Sequence, residues 1–325
     1  RMTGSDPIYQ YDLDLGSDKQ GVISLEPVYG NAGSDMAWVN RFLDIIAFAP
    51  SLALAYAQAG QENSFGWDAM GKGYQMQVAE LKRRKDDGEF TIECLGDTGR
   101  WFRKTFRETP SQAQVALIDT RGGTRKTVWY ASRNYRANLI IERDRFAIRD
   151  IQLFRDDYAE PYLQDTCKTH DFVVDALPVL DGYRWSKPND LARGIFYGIS
   201  VDGRKTELRL AGEPIVMERE TQLIVSFPML QNITLVITFN EDTMVCELQN
   251  AGDIIKLALD FVWAKGIKSA YQSVKGNALE MEHQGTNYKV IFEDANLRLE
   301  EPGLFIFGKY AFRGEYNKDI SNSND

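Results

Sequence analysis

Along most of the chain, apolar residues recur at every second position in runs of five to eight, and turn residues separate the runs. In "NITLVITFN", Ile233, Leu235, Ile237 and Phe239 fall on one face, with Thr234 and Thr238 opposite, the alternation of a half-buried strand. Residues 113–133 read as strand, turn at Arg121-Gly122-Gly123, strand. Residues 137–154 repeat the design around Arg143 and Asp144, and residues 194–210 do so around Asp202-Gly203. Such turns need positive φ, which glycine adopts without steric cost. Residues 73–96 read the same way, with a bend at Asp86-Asp87-Gly88. The pattern continues through "PIVMERETQLIVSFPM", "NITLVITFNEDTMVCELQN", "DIIKLALDFVWA", "ALEMEHQGTNYKVIFED" and "NLRLEEPGLFIFGKY".

Helical spacing is rarer. "SDMAWVNRFLDIIAFA" carries Trp38, Phe42, Ile45 and Ile46 on one stripe, with Ser34 or Asp35 as N-cap and Pro50 beyond the end, so a helix is expected over 34–49. A short helix is expected within "DDYAEPYLQDTC", and "SLALAYAQAG" fits strand or helix. Many short strands about ten residues apart indicate a sandwich or barrel. The expected fold is mainly β, a large antiparallel β-sandwich, supersandwich-like, with one or two short helices. Residues 156–193, rich in Asp, Pro, Tyr and Trp, break the pattern. They read as an irregular segment crossing one domain of residues 1–325. The alternative is a linker between two β domains, 1–160 and 190–316.

Composition narrows the function classes. A net charge of −9 argues against a general nucleic-acid binder, yet residues 81–155 hold seventeen Lys and Arg against ten Asp and Glu. That basic section either attracts an anionic ligand or alternates on solvated faces. Phe42–Ala57, the most apolar stretch, is interrupted by Asp44 and Pro50 and is too short to span a bilayer. No membrane insertion is expected, and the opening residues show no charged-then-apolar leader. Cys94, Cys167 and Cys246 lie far apart, without metal-type spacing.

Motifs of strong specificity are missing: no G-x-S-x-G, no P-loop and no dinucleotide fingerprint. His170 and His283 are the only histidines, so a His-rich zinc site is excluded. His170 beside Asp171 is a candidate general base, because a free imidazole titrates near neutrality; a solvated loop His is the plainer reading. Glycoside hydrolysis needs a pair of carboxylates, and the irregular segment offers Asp156, Asp157, Glu160, Asp165, Asp171 and Asp181. Asp12, Asp14 and Asp18 alternate as calcium ligands can, without the EF-hand spacing. No cofactor is expected beyond calcium at those three.

The turn "DGYRW" sets Tyr183, Arg184 and Trp185 next to Asp181. Flat rings stack on sugar faces and the polar groups bond hydroxyls. Trp101 lies among Arg100, Arg103, Lys104 and Arg107. On a strand, Trp101, Arg103 and Arg107 would share one face and suit an acidic sugar; a core Trp under Arg stems is the alternative. The reading that follows is a carbohydrate-active protein, a glycoside hydrolase or polysaccharide lyase on an acidic glycan. Its candidate catalytic residues are His170, Asp171 and Asp181, and its oligosaccharide or polysaccharide partner rests on Tyr183, Arg184, Trp185, Trp101, Arg103 and Arg107. By functional analogy it would be secreted or periplasmic. Two alternatives stand: a non-catalytic carbohydrate-binding or adhesion module, and a structural accessory domain with no ligand.

Overall fold

The computed structural model describes residues 7–9, 35–57, 67–155, 166, 168 and 176–316. Three helices lead the chain among these residues: α1 (Met36–Phe48), α2 (Trp67–Asp86) and α3 (Leu95–Thr105). Strands then follow one another: β1 (Gln112–Ala116), β2 (Arg125–Ala131), β3 (Tyr135–Glu142), β4 (Arg145–Leu153), β5 (Leu177–Leu180), β6 (Arg193–Ser200), β7 (Lys205–Glu207) and β8 (Ile215–Arg219). The second half adds β9 (Gln222–Pro228), β10 (Thr234–Phe239), β11 (Thr243–Gln249), β12 (Ile254–Val262), β13 (Tyr271–Lys275), β14 (Ala278–His283), β15 (Thr286–Glu300) and β16 (Gly303–Glu315).

All sixteen strands belong to one antiparallel sheet, ordered β1-β2-β3-β4-β6-β12-β16-β11-β10-β9-β8. β5 lies beside β4, β7 beside β6, and β13-β14-β15 branch from β16. The sheet curls until its two ends face each other. Tyr130 of β2 stacks on Phe239 of β10 at 5.3 Å, and Phe146 of β4 on Phe227 of β9 at 4.6 Å. Strands distant in sheet order thus share one core, which draws on side chains from Ala113 to Tyr316. The mainly-β sandwich expected from the alternation is what forms, with three helices among the described residues rather than one or two.

Period two located the hairpins. β1–β2, β3–β4 and β6–β7 turn at the expected residues, and Gly203 takes the positive φ (82°) that its tight turn needs. Ile233, Leu235, Ile237 and Phe239 are all buried. Asp35 caps α1, its carboxylate accepting from Ala37 N at 2.9 Å. The buried stripe of that helix is Trp38, Val39 and Leu43, while Phe42, Ile45 and Ile46 are half-buried.

Residues 73–96 depart from expectation: most of that span is helix. The alternation of Tyr74, Met76 and Val78 is short, and Gln, Ala, Glu, Leu, Lys and Arg around it are strong helix formers. Charges spaced by three and four then pair along α2: Glu80–Arg83 at 2.6 Å, Glu80–Arg84 at 2.8 Å and Arg83–Asp87 at 2.6 Å, as only a helix allows. Arg84 also reaches Asp44 of α1 at 2.7 Å, tying the two helices together. Residues 51–57 form neither helix nor strand, apart from a single bridge between Leu52 and Gln112. The short helix expected between 156 and 167 lies, Thr166 apart, outside the described residues.

Candidate functional site

The turn after β5 is built around Asp181. Its carboxylate accepts from Tyr183 N at 3.1 Å, Arg184 N at 2.6 Å and Arg184 Nε at 2.5 Å, the local self-capping that suits Asp to tight turns. Gly182 fits because a Cβ there would come within 2.2 Å of the Arg149 carbonyl oxygen. Behind the turn, Gln152 Nε2 donates to Asp150 Oδ1 at 2.9 Å and to Asp181 Oδ2 at 3.5 Å. Arg136 Nε donates to Asp150 Oδ2 at 2.9 Å. Burial pushes the Asp150 carboxyl above the usual range; Arg136 opposes this and the neighbouring Asp181 charge adds to it. His283, at the end of β14, is held below its ordinary pKa by burial and by the Arg184 charge.

A carboxylate pair therefore exists, though Asp150 is a member that sequence reasoning missed. Both acids are buried and spend their oxygens on the protein's own donors. Such a network locks β3, β4 and the turn together. His170 and Asp171, the proposed companions of Asp181, lie outside the described residues, as do Asp156, Asp157, Glu160 and Asp165.

Trp185 is interior, 5% exposed. It meets Trp263 at 6.1 Å and Tyr271 at 5.5 Å, and those two meet each other edge-to-face at 5.2 Å. The Tyr271 hydroxyl donates to the Val179 carbonyl at 2.5 Å, and that of Tyr288 to Pro178 at 2.7 Å, so the cluster also fixes β5. The expected sugar platform at 181–185 is corrected on this ground. A large ring in a tight turn gains more from an apolar neighbourhood than from water, and only Tyr183 and Arg184 remain half-buried at the margin.

Trp101, Arg103 and Arg107 do not share a strand face. Trp101 and Arg103 lie on α3 and Arg107 just past its end. Helical spacing gathers Leu95, Thr98, Trp101, Phe102 and Thr105 on one side and Asp97, Arg100, Arg103 and Lys104 on the other. No residue of α3 is buried; Leu95 is 59% and Trp101 45% exposed. Trp101 and Phe102 both touch Phe106, at 5.7 Å and 5.0 Å, so the apolar side is a small aromatic surface open to the outside.

One charged centre had no sequence signal beyond an acid inside the apolar run "LALDFV". Asp260 of β12 is 5% exposed and pairs with Lys205 of β7, whose ammonium lies 4.3 Å from the Tyr197 ring and 5.4 Å from that of Phe305. Burial raises its carboxyl pKa, against the pull of Lys205. Among the described residues, no group of three or more His, Cys, Asp or Glu is placed to hold a metal; Asp12, Asp14 and Asp18 lie outside them.

No family model matches the chain, and no curated protein matches it. Solved structures do. An active YidC insertase with its first transmembrane domain resolved is similar at TM-score 0.37 and 13% identity, over 67% of this chain and 43% of that one. YidC from Thermotoga maritima is similar at TM-score 0.33 and 12% identity, over 59% and 48%. The chain spans less than half the length of either. None of these matches places it in a family. At such scores the likeness carries no functional argument. With Trp185 enclosed in the core, the expectation of an oligosaccharide or polysaccharide partner without membrane insertion is withdrawn.

Proposed function

We propose that this protein is a β-sandwich module that works against an anionic membrane surface, lying on it through α3 rather than crossing it. The observation that carries the reading is the state of α3: an amphipathic helix with no buried residue, its Leu95 and Trp101 open to solvent and its opposite side basic. Exposed apolar side chains on a helix of this kind mark an interaction surface. Tryptophan and leucine beside Arg and Lys are the composition of interfacial helices. Ile92 is 49% exposed just before α3, and Arg107 is exposed just past its end. Each basic side chain near an anionic leaflet contributes about 1 kcal/mol. Among the described residues, no helix is long and apolar enough to cross a membrane.

The test is co-sedimentation of the full chain with vesicles of phosphatidylcholine, alone or with a minority of phosphatidylglycerol. The chain carries net −9, so attachment must be local and salt-sensitive. The expected result is sedimentation with the anionic vesicles only, reversed by raised salt. It should be lost in Leu95→Glu/Trp101→Glu and in Arg103→Glu/Lys104→Glu. Failure of the wild-type chain to sediment with anionic vesicles, or sedimentation of either variant equal to wild type, would end the proposal.

A further inference from the structure

On the outer face of β2, β3 and β4, three residues of the chain, Pro7, Ile8 and Tyr9, lie in a groove much as a bound peptide would. Arg149 spreads its guanidinium across two successive carbonyls, Nη1 donating to Ile8 O at 2.8 Å and Nη2 to Pro7 O at 3.2 Å. Trp129 Nε1 donates to the same Pro7 oxygen at 2.8 Å. Ile8 is fully buried against Ala116 and Ile45. The Tyr9 hydroxyl donates to both Asp119 oxygens at 3.0 Å, and its ring is covered by Arg121 at 5.1 Å and Arg125 at 5.3 Å.

The receiving groups are held in place by the sheet and its loop, not only by the segment they bind. Arg149 Nε is fixed by Asn138 Oδ1 at 2.6 Å, and Asn138 in turn donates to Thr127 Oγ1 at 2.7 Å and Val128 O at 3.0 Å. The Trp129 ring lies between Arg136 and Arg149, at 5.8 Å and 5.5 Å. Asp119 is oriented by its own loop, accepting from Arg121 N at 2.9 Å and Arg125 N at 3.2 Å. Gly123 keeps that loop close, since a Cβ would meet Asp119 Oδ2 at 2.4 Å. A groove prepared in this way loses little conformational freedom on binding.

We propose that this groove is a recognition site for a short peptide that presents an Ile-Tyr pair from a turn, and that residues 7–9, which form such a turn, are its intramolecular occupant. One guanidinium bridging consecutive carbonyls reads a turned backbone, the apolar pocket reads Ile, and the carboxylate with its two flanking arginines reads a phenol. Covalent attachment gives the cis segment a large advantage, so a partner peptide enters only where that segment is weakened or displaced.

The experiment uses a fluorescent peptide of residues 5–11, SDPIYQY, and follows its anisotropy with the full chain. Wild type should bind it weakly. The Ile8→Ser/Tyr9→Ala chain, shown to be folded by circular dichroism, should bind it at least tenfold tighter. In that background a Tyr9→Phe peptide should lose about tenfold, as expected for a hydrogen bond to a charged acceptor, and Arg149→Lys should lose at least as much. Should the double variant not fold, the Tyr9→Phe chain takes its place and should bind peptide several-fold more tightly than wild type. Absence of binding to the folded variant, or equal binding of a scrambled peptide, would overturn the proposal.

Discussion

Trp185 meets Tyr271 edge-on inside the core, with 5.5 Å between ring centroids and 88° between ring planes. An indole so enclosed stabilises the fold instead of meeting a ligand. Trp185→Ala is therefore expected to cost about 3–5 kcal/mol in urea unfolding, and Trp185→Phe distinctly less, because the edge contact with Tyr271 survives in part. A loss under about 1 kcal/mol for Trp185→Ala would mean that the ring is not packed as described.

Two glycines separate backbone crowding from helix propensity. At Gly182 an added methyl would run into the Arg149 carbonyl oxygen, a backbone atom that cannot rotate away. Gly182→Ala should destabilise by about 1–3 kcal/mol. At Gly99, inside α3, the same methyl meets nothing within 4 Å. Gly99→Ala should add up to about 1 kcal/mol to helix stability, without touching the core. Chemical denaturation of both variants checks the pair, and the same sign in each would contradict the geometry.

These contrasts show which parts of the molecule local sequence reports. Hairpins such as β3–β4 are legible because alternation and turn chemistry act over a few residues. α2 was obscured because Tyr74, Met76 and Val78 imitate a strand, while its ion pairs appear only once helical spacing is assumed. The fate of Trp185 was not legible at all. Its neighbours Trp263, just past β12, and Tyr271 of β13 are distant in sequence, so the same "DGYRW" could cover either a core or a cleft. Asp260 shows the same limit: its strand position is readable, but the Lys205 ammonium and the Phe305 ring that surround it arrive from β7 and β16. The paired acids were sought among residues 156–181, whereas Asp150, the actual neighbour of Asp181, sits within a regular strand.

Two carboxylates should shift stability with pH in opposite directions. Hydrogen bonds from Arg83 and Arg84 hold the Glu80 carboxyl down to about 2, from an ordinary 4.5. Its stabilising share is complete above 4.5 and is lost as pH falls from there toward about 2. Glu80→Gln should flatten the acid loss of helical circular dichroism in that window. Asp260 carries the opposite sign: burial raises its pKa above 3.8, so its protonated form suits the fold and its contribution declines as pH climbs past 3.8. Asp260→Asn should remove that decline. A wild-type acid profile in Glu80→Gln would contradict the role of the Arg pairs.

Thiol chemistry joins the fold to the proposed surface. Cys94 is exposed at the N-cap of α3, next to Leu95, whereas Cys246 is fully buried and its thiol pKa is pushed up by that burial. A thiolate is the reactive form, so in a Cys167→Ser chain a maleimide should label Cys94 within the dead time of manual mixing. Cys246 should label only at the rate of unfolding, and urea should bring the two together. Anionic vesicles should then slow labelling at Cys94 several-fold, because α3 settles into the headgroup layer with its N-terminal turn, and leave Cys246 unchanged. Neutral vesicles should have no effect on either thiol. Protection of Cys94 by both kinds of vesicle would point to apolar contact without the basic side of α3. Protection by neither would place the helix away from the membrane.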